Sequence, residues 1–143
     1  MSAIVAENIK RTIHTTINAL NAWDYDALVS VRADEFKFQG LPHSLNMPEM
    51  DNQAFRELWF NFMTPNMKNF KIEPVMQIQD PMTLRGTFYS RVSATLPGNK
   101  IFKDYEIVQM FTLNETGEKL LRLDEFFDSK VYLEMSAVLE GNE

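Results

Sequence analysis

Val5, Ile9, Ile13, Ile17 and Leu20 recur on one stripe of a 3.6-residue period, and the spacing predicts a single amphipathic helix over residues 3–22. Two shorter helical patterns follow. DYDALVSVR begins at Asp24, a residue suited to accept from free backbone amides, and ends on Arg32. DNQAFRELWFNFM begins at Asp51 or Asn52 in the same way and turns Phe55, Leu58, Trp59 and Phe62 inward. Between them lies FKFQGLPHSLNMPEM, where Gly40, Pro42 and Pro48 interrupt regular structure. The reading there is a short strand and then a long loop, residues 39–50, suited to be a lid or pocket wall.

From Phe70 the period becomes two. FKIEPVMQIQ, LRGTFYSRVSATL, IFKDYEIVQMFTL and KLLRLDEFFD are four strands of an antiparallel meander, separated by the turn sequences DPMT, PGNK and NETGE. VYLEMSAVL reads either as a closing helix or as a contact with a partner. Helices first and a sheet afterwards define an α+β class: N-terminal helices packed on a strongly curved antiparallel sheet, a cone that encloses a pocket. No repeat or linker divides the chain, so residues 1–143 form one domain.

Composition narrows the partners. With 45% hydrophobic residues the chain can bury a core, and its net charge of -6 opposes nucleic acid and anionic membrane surfaces, which reward clustered Lys and Arg. There is no cysteine, which removes disulfides and thiolate chemistry. Glu7, Lys10 and Arg11 break the N-terminal stretch, so a cytoplasmic location is expected. Two isolated histidines offer no metal spacing, and no glycine-rich phosphate loop or nucleophile elbow is visible; the expectation is no metal and no cofactor.

The sharpest local signal is an acid where alternation calls for an apolar residue. On the last strand Leu121, Leu123, Glu125 and Phe127 share one face, so Glu125 sits either in an apolar wall, with its pKa raised toward general acid–base use, or at a rim where the strand meets water. Arg122 and Asp124 point the other way, and Asp128 and Ser129 read as a helix cap. Tyr105, Ile107, Gln109, Phe111 and Leu113 form a second largely apolar face. Tyr105 there is either a hydrogen-bond donor to a developing oxyanion or an ordinary strand residue. Arg32 is either a clamp pointing into the cone, pairing with Glu125 or a substrate carbonyl, or a cation at a helix C-terminus. His43 sits in the candidate lid as a possible proton shuttle, with Gln39 beside it. Gln39, Gln109, Phe55, Trp59, Leu123 and Phe127 are the candidate substrate contacts.

The run VRADEFKFQGLPHSLNMPEMDNQAF and the stretch YEIVQMFTLNETGEKLLRLDEFFDS resemble the NTF2-like superfamily, within it the SnoaL-like polyketide cyclases and the fungal tailoring enzymes related to them. The resemblance covers most of the chain. It implies Arg32 and Glu125 as pocket residues, pairing of two chains through the outer sheet face, and rearrangement of an apolar polyketide, meroterpenoid or indole alkaloid without a cofactor. The histidine pair of the similar scytalone dehydratases is absent, since only His14 and His43 exist. The expected function is therefore a cofactor-independent isomerase or cyclase with Glu125, Arg32, Tyr105 and His43 in catalytic roles. A hydrolase is the alternative, which needs a second pocket acid such as Asp34 or Asp104. A non-catalytic binding or dimerisation module is the third reading.

Overall fold

In the computed structural model, which describes residues 3–141, α1 (Ala3–Ala22) lies against the sheet with Ile9, Ile13, Ile17 and Leu20 buried. α2 (Tyr25–Ser30) follows, capped by Asp24, whose side chain accepts from the Ala27 amide. β1 (Arg32–Leu41) leads through a loop with a short 3-10 turn to α3 (Asn52–Leu58), capped by Asp51, and α3 continues through a π-helical turn (Trp59–Met63) into α4 (Thr64–Asn66). β2 (Lys68–Asp80), β3 (Arg85–Leu96), β4 (Lys100–Leu113), β5 (Leu120–Phe127) and α5 (Ser129–Leu139) complete the chain.

The five strands form one sheet in the order β1-β5-β4-β3-β2. The meander β2 to β5 is antiparallel as the period-two pattern predicts, but β1 runs parallel to β5, so the sheet is mixed. β1 is also longer than expected at ten residues, and Arg32 begins this strand instead of ending the second helix. Pairing explains both: Gln39, Gly40 and Leu41 sit in register with Asp124, Glu125 and Phe126, a long-range partner that local periodicity does not report. Pro74 fits because β2 is an edge strand and the register shifts beside it.

Register shifts interrupt all four pairings and bend the sheet. One of them matters for the site. Thr112 pairs with Arg122 and Leu113 with Leu120, so Leu121 is an extra residue on β5 and Leu120, not Leu121, is the fully buried one. Beyond the bulge the expected alternation resumes, and Leu123, Glu125 and Phe127 share the inner face.

Helix α1 is tied across the sheet at both ends. Asn8 Nδ2 donates to Thr116 O at 2.9 Å and Thr12 Oγ1 to Gly117 O at 2.7 Å, while Asn21 both donates to and accepts from the backbone of Ile72. Gly117 closes the NETGE turn at φ 77°, and a Cβ there would meet Ile9 Cγ1 at 2.8 Å and Val5 O at 2.9 Å. Gly117→Ala is therefore expected to destabilise the fold by roughly 2–4 kcal/mol, from the left-handed backbone and overpacking together. Urea unfolding checks this; a loss below about 1 kcal/mol would mean that α1 can move aside at little cost.

Candidate functional site

The cone encloses a cavity of about 280 Å³ whose walls have two characters. The sheet contributes the chemistry: Arg32 from β1, Tyr105 and Gln109 from β4, Glu125 from β5. The helices and the loop contribute apolar surface, including Met47 and Met50 from the loop, Met63 and Met67 around α4, and Met135 from α5. Five methionines give that wall adaptable shape, because the unbranched thioether side chain repacks easily.

Glu125 lies directly opposite Gln109 in the β4–β5 register, and Gln109 Nε2 donates to Glu125 Oε1 at 2.7 Å. The enclosure disfavours the charged carboxylate and pushes its pKa up to about 7, with the Gln109 hydrogen bond pulling the other way. Its residual accessible surface is that of a group bordering a cavity. Because the folded-state pKa is raised, Glu125 contributes most to stability below its ordinary value of 4.5, and that contribution is lost as pH rises toward 7. The difference in unfolding free energy between wild type and Glu125→Gln should therefore shift by up to about 3 kcal/mol between pH 4 and 8. Parallel unfolding curves at both pH values would contradict a desolvated Glu125.

Arg32 is only 5% exposed, and its guanidinium is stacked between the rings of Phe36 and Phe55, 4.1 and 4.2 Å from their centroids. It does not pair with Glu125. Nε and Nη1 are buried without a hydrogen-bond partner, and among the described residues no carboxylate forms an ion pair with it. Desolvation pushes its pKa down to about 10, the Tyr25 phenol opposing slightly. Arg32 is thus a buried cation clamped on both faces, with two donors unpartnered among the described residues, and as a residue it borders the cavity. Tyr105 borders the same cavity; burial and the charge of Glu125 both raise its pKa, so it stays a protonated donor.

Other expected site residues fall elsewhere. His43 is exposed at the start of the 3-10 turn and does not line the cavity. Gln39 is buried and does not line the cavity; its amide donates to Gly40 O and Met47 O and so ties the loop down. Trp59 is 1% exposed in an aromatic cluster with Trp23, Tyr25 and Phe55, behind the wall; Phe55 itself lines the cavity, as do Leu123 and Phe127. Asp34 and Asp104 are exposed. The loop does form pocket wall, through Met47, Pro48 and Met50, and Glu49 anchors it to Arg122 at 2.7 Å. Asp128 and Tyr132, at the start of α5, line the cavity and were not expected there. Asp128 follows Phe127 at the end of a pocket-facing strand, which was the available signal, but its capping role at Val131 masked it. Among the described residues no group of three His, Asp or Glu side chains is placed to hold a metal, and no helix is long and apolar enough to cross a membrane.

A bent mixed sheet with helices closing a cavity over an internal acid is the NTF2-like architecture. The chain has that fold: it matches an NTF2-like protein of Burkholderia pseudomallei with a TM-score of 0.76 at 10% identity, covering 94% of this chain and 98% of that one. It also matches the BvnE pinacolase of Penicillium brevicompactum with a TM-score of 0.84 at 24% identity, covering 96% and 97%. In sequence it is 28% identical to core atranone cluster protein 11 of Stachybotrys chlorohalonatus over 92% of this chain and 96% of that protein. It is 26% identical to the monooxygenase AacuO of Aspergillus aculeatus over 82% and 72%. No family model matches the chain.

Proposed function

We propose that the protein is a cofactor-independent isomerase or cyclase of fungal secondary-metabolite tailoring, acting on a largely apolar natural product. The observation that carries this reading is the presence, around one apolar cavity, of a carboxyl poised near neutrality and a buried arginine that forms no ion pair among the described residues. Glu125 moves a proton, Arg32 receives the oxygen on which negative charge develops, and Tyr105 donates a second hydrogen bond. A neighbour named as a pinacolase and a relative named for a biosynthetic cluster support the tailoring context.

A hydrolase remains the second reading because Asp128 supplies the second cavity carboxylate it requires. Its engagement at the cap of α5 weighs against it as a free base. One experiment separates the two: purified protein and candidate late intermediates, no added cofactor, in ¹⁸O-labelled water. An isomeric product of unchanged mass supports rearrangement, and either a ring-opened product that has gained one labelled water or a cleaved pair of fragments with ¹⁸O in one of them overturns it in favour of hydrolysis. No turnover of any intermediate would leave the binding-module reading.

We also propose pairing of two chains through the outer sheet face. Phe126, Val108, Tyr89 and Met76 lie in one cross-strand row there, with Met110 and Ile78 in the next, and Met76 and Ile78 are 60% and 65% exposed. The row Phe126, Val108, Tyr89 and Met76, with Thr87 between Met110 and Ile78 beside it, supports an interaction surface on this face. Ile78→Glu combined with Phe126→Glu is expected to convert a dimer to a monomer in light scattering; a monomeric wild type would refute the pairing.

A further inference from the structure

Gln109 is fully buried on the inner face of β4, between Phe88 on β3 and Glu125 on β5. Its amide nitrogen donates to Glu125 Oε1, while its own carbonyl oxygen is buried without a hydrogen-bond partner among the described residues. An orphaned buried carbonyl is costly, and a methionine would fill similar space without that cost. Packing alone therefore gives no reason for a glutamine here. On the other side of Glu125 stands Gly40, which has no side chain, and the Met47 thioether fills the space above it. Among the described residues Gln109 is the hydrogen-bond donor that Glu125 has, Glu125 Oε2 accepts no hydrogen bond, and Glu125 lines the cavity.

We infer that Gln109 is a positioning residue that pins Oε1 of Glu125 and so directs proton exchange with the ligand to Oε2. The inference rests on the acid–base reading of Glu125. With Oε1 engaged, rotation of the carboxyl group is restrained and the proton is taken up and released on the oxygen that faces the substrate. The same bond favours the charged form and so opposes the effect of burial. The other ionisable groups around the cavity are Tyr105 on β4, Arg32 on β1, and Asp128 and Tyr132 at α5; α1, α3 and the π-helical turn present no titratable side chain to it. None of these groups hydrogen-bonds Glu125, so removing Gln109 isolates its effect.

The test is a carboxyl titration by isotope-edited infrared spectroscopy without substrate, the Glu125 band being assigned by its loss in Glu125→Gln. Gln109→Met is compared with wild type, and Gln109→Asn, which keeps an amide on a shorter side chain, guards against a folding failure of the first variant. The expected result is a Glu125 midpoint raised by about one pH unit in the folded variants. In turnover, kcat should fall about tenfold with KM changed less than about threefold, and the pH–rate limb should move with the midpoint. An unmoved midpoint overturns the inference, as does a raised KM at constant kcat, which would make Gln109 a ligand contact. Because the titration needs no turnover, an active Glu125→Gln protein would sink the acid–base reading separately, leaving the midpoint result to be judged alone.

Discussion

Glu125→Gln is expected to lower kcat by about 10²–10⁴-fold while ligand binding persists, the range associated with loss of a positioned general acid or base. The substitution is nearly isosteric and keeps an oxygen to accept from Gln109 Nε2, so it removes the proton-transfer group and little else. It also removes the group whose charge the cavity disfavours, so the variant should be as stable as wild type at pH 5 and more stable at pH 8. Activity without Glu125 is most informative when read beside the wild-type pH profile, which should show a limb near 7. If the variant turns over as fast as wild type, the chemistry lies elsewhere in the cavity, and Asp128 becomes the next carboxyl to remove.

Arg32→Met is expected to separate stability from function. The buried guanidinium has its pKa pushed down to about 10, which corresponds to roughly 3 kcal/mol of disfavoured charge, and two ring contacts of about 1 kcal/mol each offset part of that. A methionine between Phe36 and Phe55 keeps the packing and removes the charge, so unfolding free energy should be unchanged or up to about 2 kcal/mol higher. Activity should move the other way, with kcat/KM down roughly 10²–10³-fold, because a preorganised donor to developing negative charge is lost. Arg32→Lys should not restore it, since an ammonium cannot occupy the flat slot between two rings and present a planar set of donors. A variant destabilised by more than about 1 kcal/mol would show Arg32 to be a structural cation instead.

Much of this architecture was legible from patterns of neighbours along the chain. The 3.6-residue stripe of Ile9, Ile13 and Ile17 fixes α1, the period-two runs fix β2 to β5, and the turn chemistry of NETGE fixes the tight link between the last two strands. Glu125 was legible for the same reason: a polar residue in an apolar face breaks a local rule, and such breaks concentrate at sites.

What the patterns could not report were relations between segments far apart in the chain. The parallel pairing of β1 with β5 decided that Arg32 belongs to a strand and that Gly40 sits beside Glu125. Gln39 turned out to donate to Gly40 O on its own strand and to Met47 O in the loop, and His43 is exposed, neither of which local spacing reports. Phe55, Leu58 and Phe62 reach the cavity at the helical spacing the sequence predicts, and Trp59 is buried as expected, but among Trp23, Tyr25 and Phe55 and not in the cavity lining. By itself the sequence determined the elements, the class of the fold and the anomalous acid, since these depend on local periodicity and turn geometry. Only the tertiary structure decided that Gln109 donates to the acid and that, among the described residues, Nε and Nη1 of the arginine have no hydrogen-bond partner, because burial and hydrogen-bond satisfaction are properties of the assembled interior.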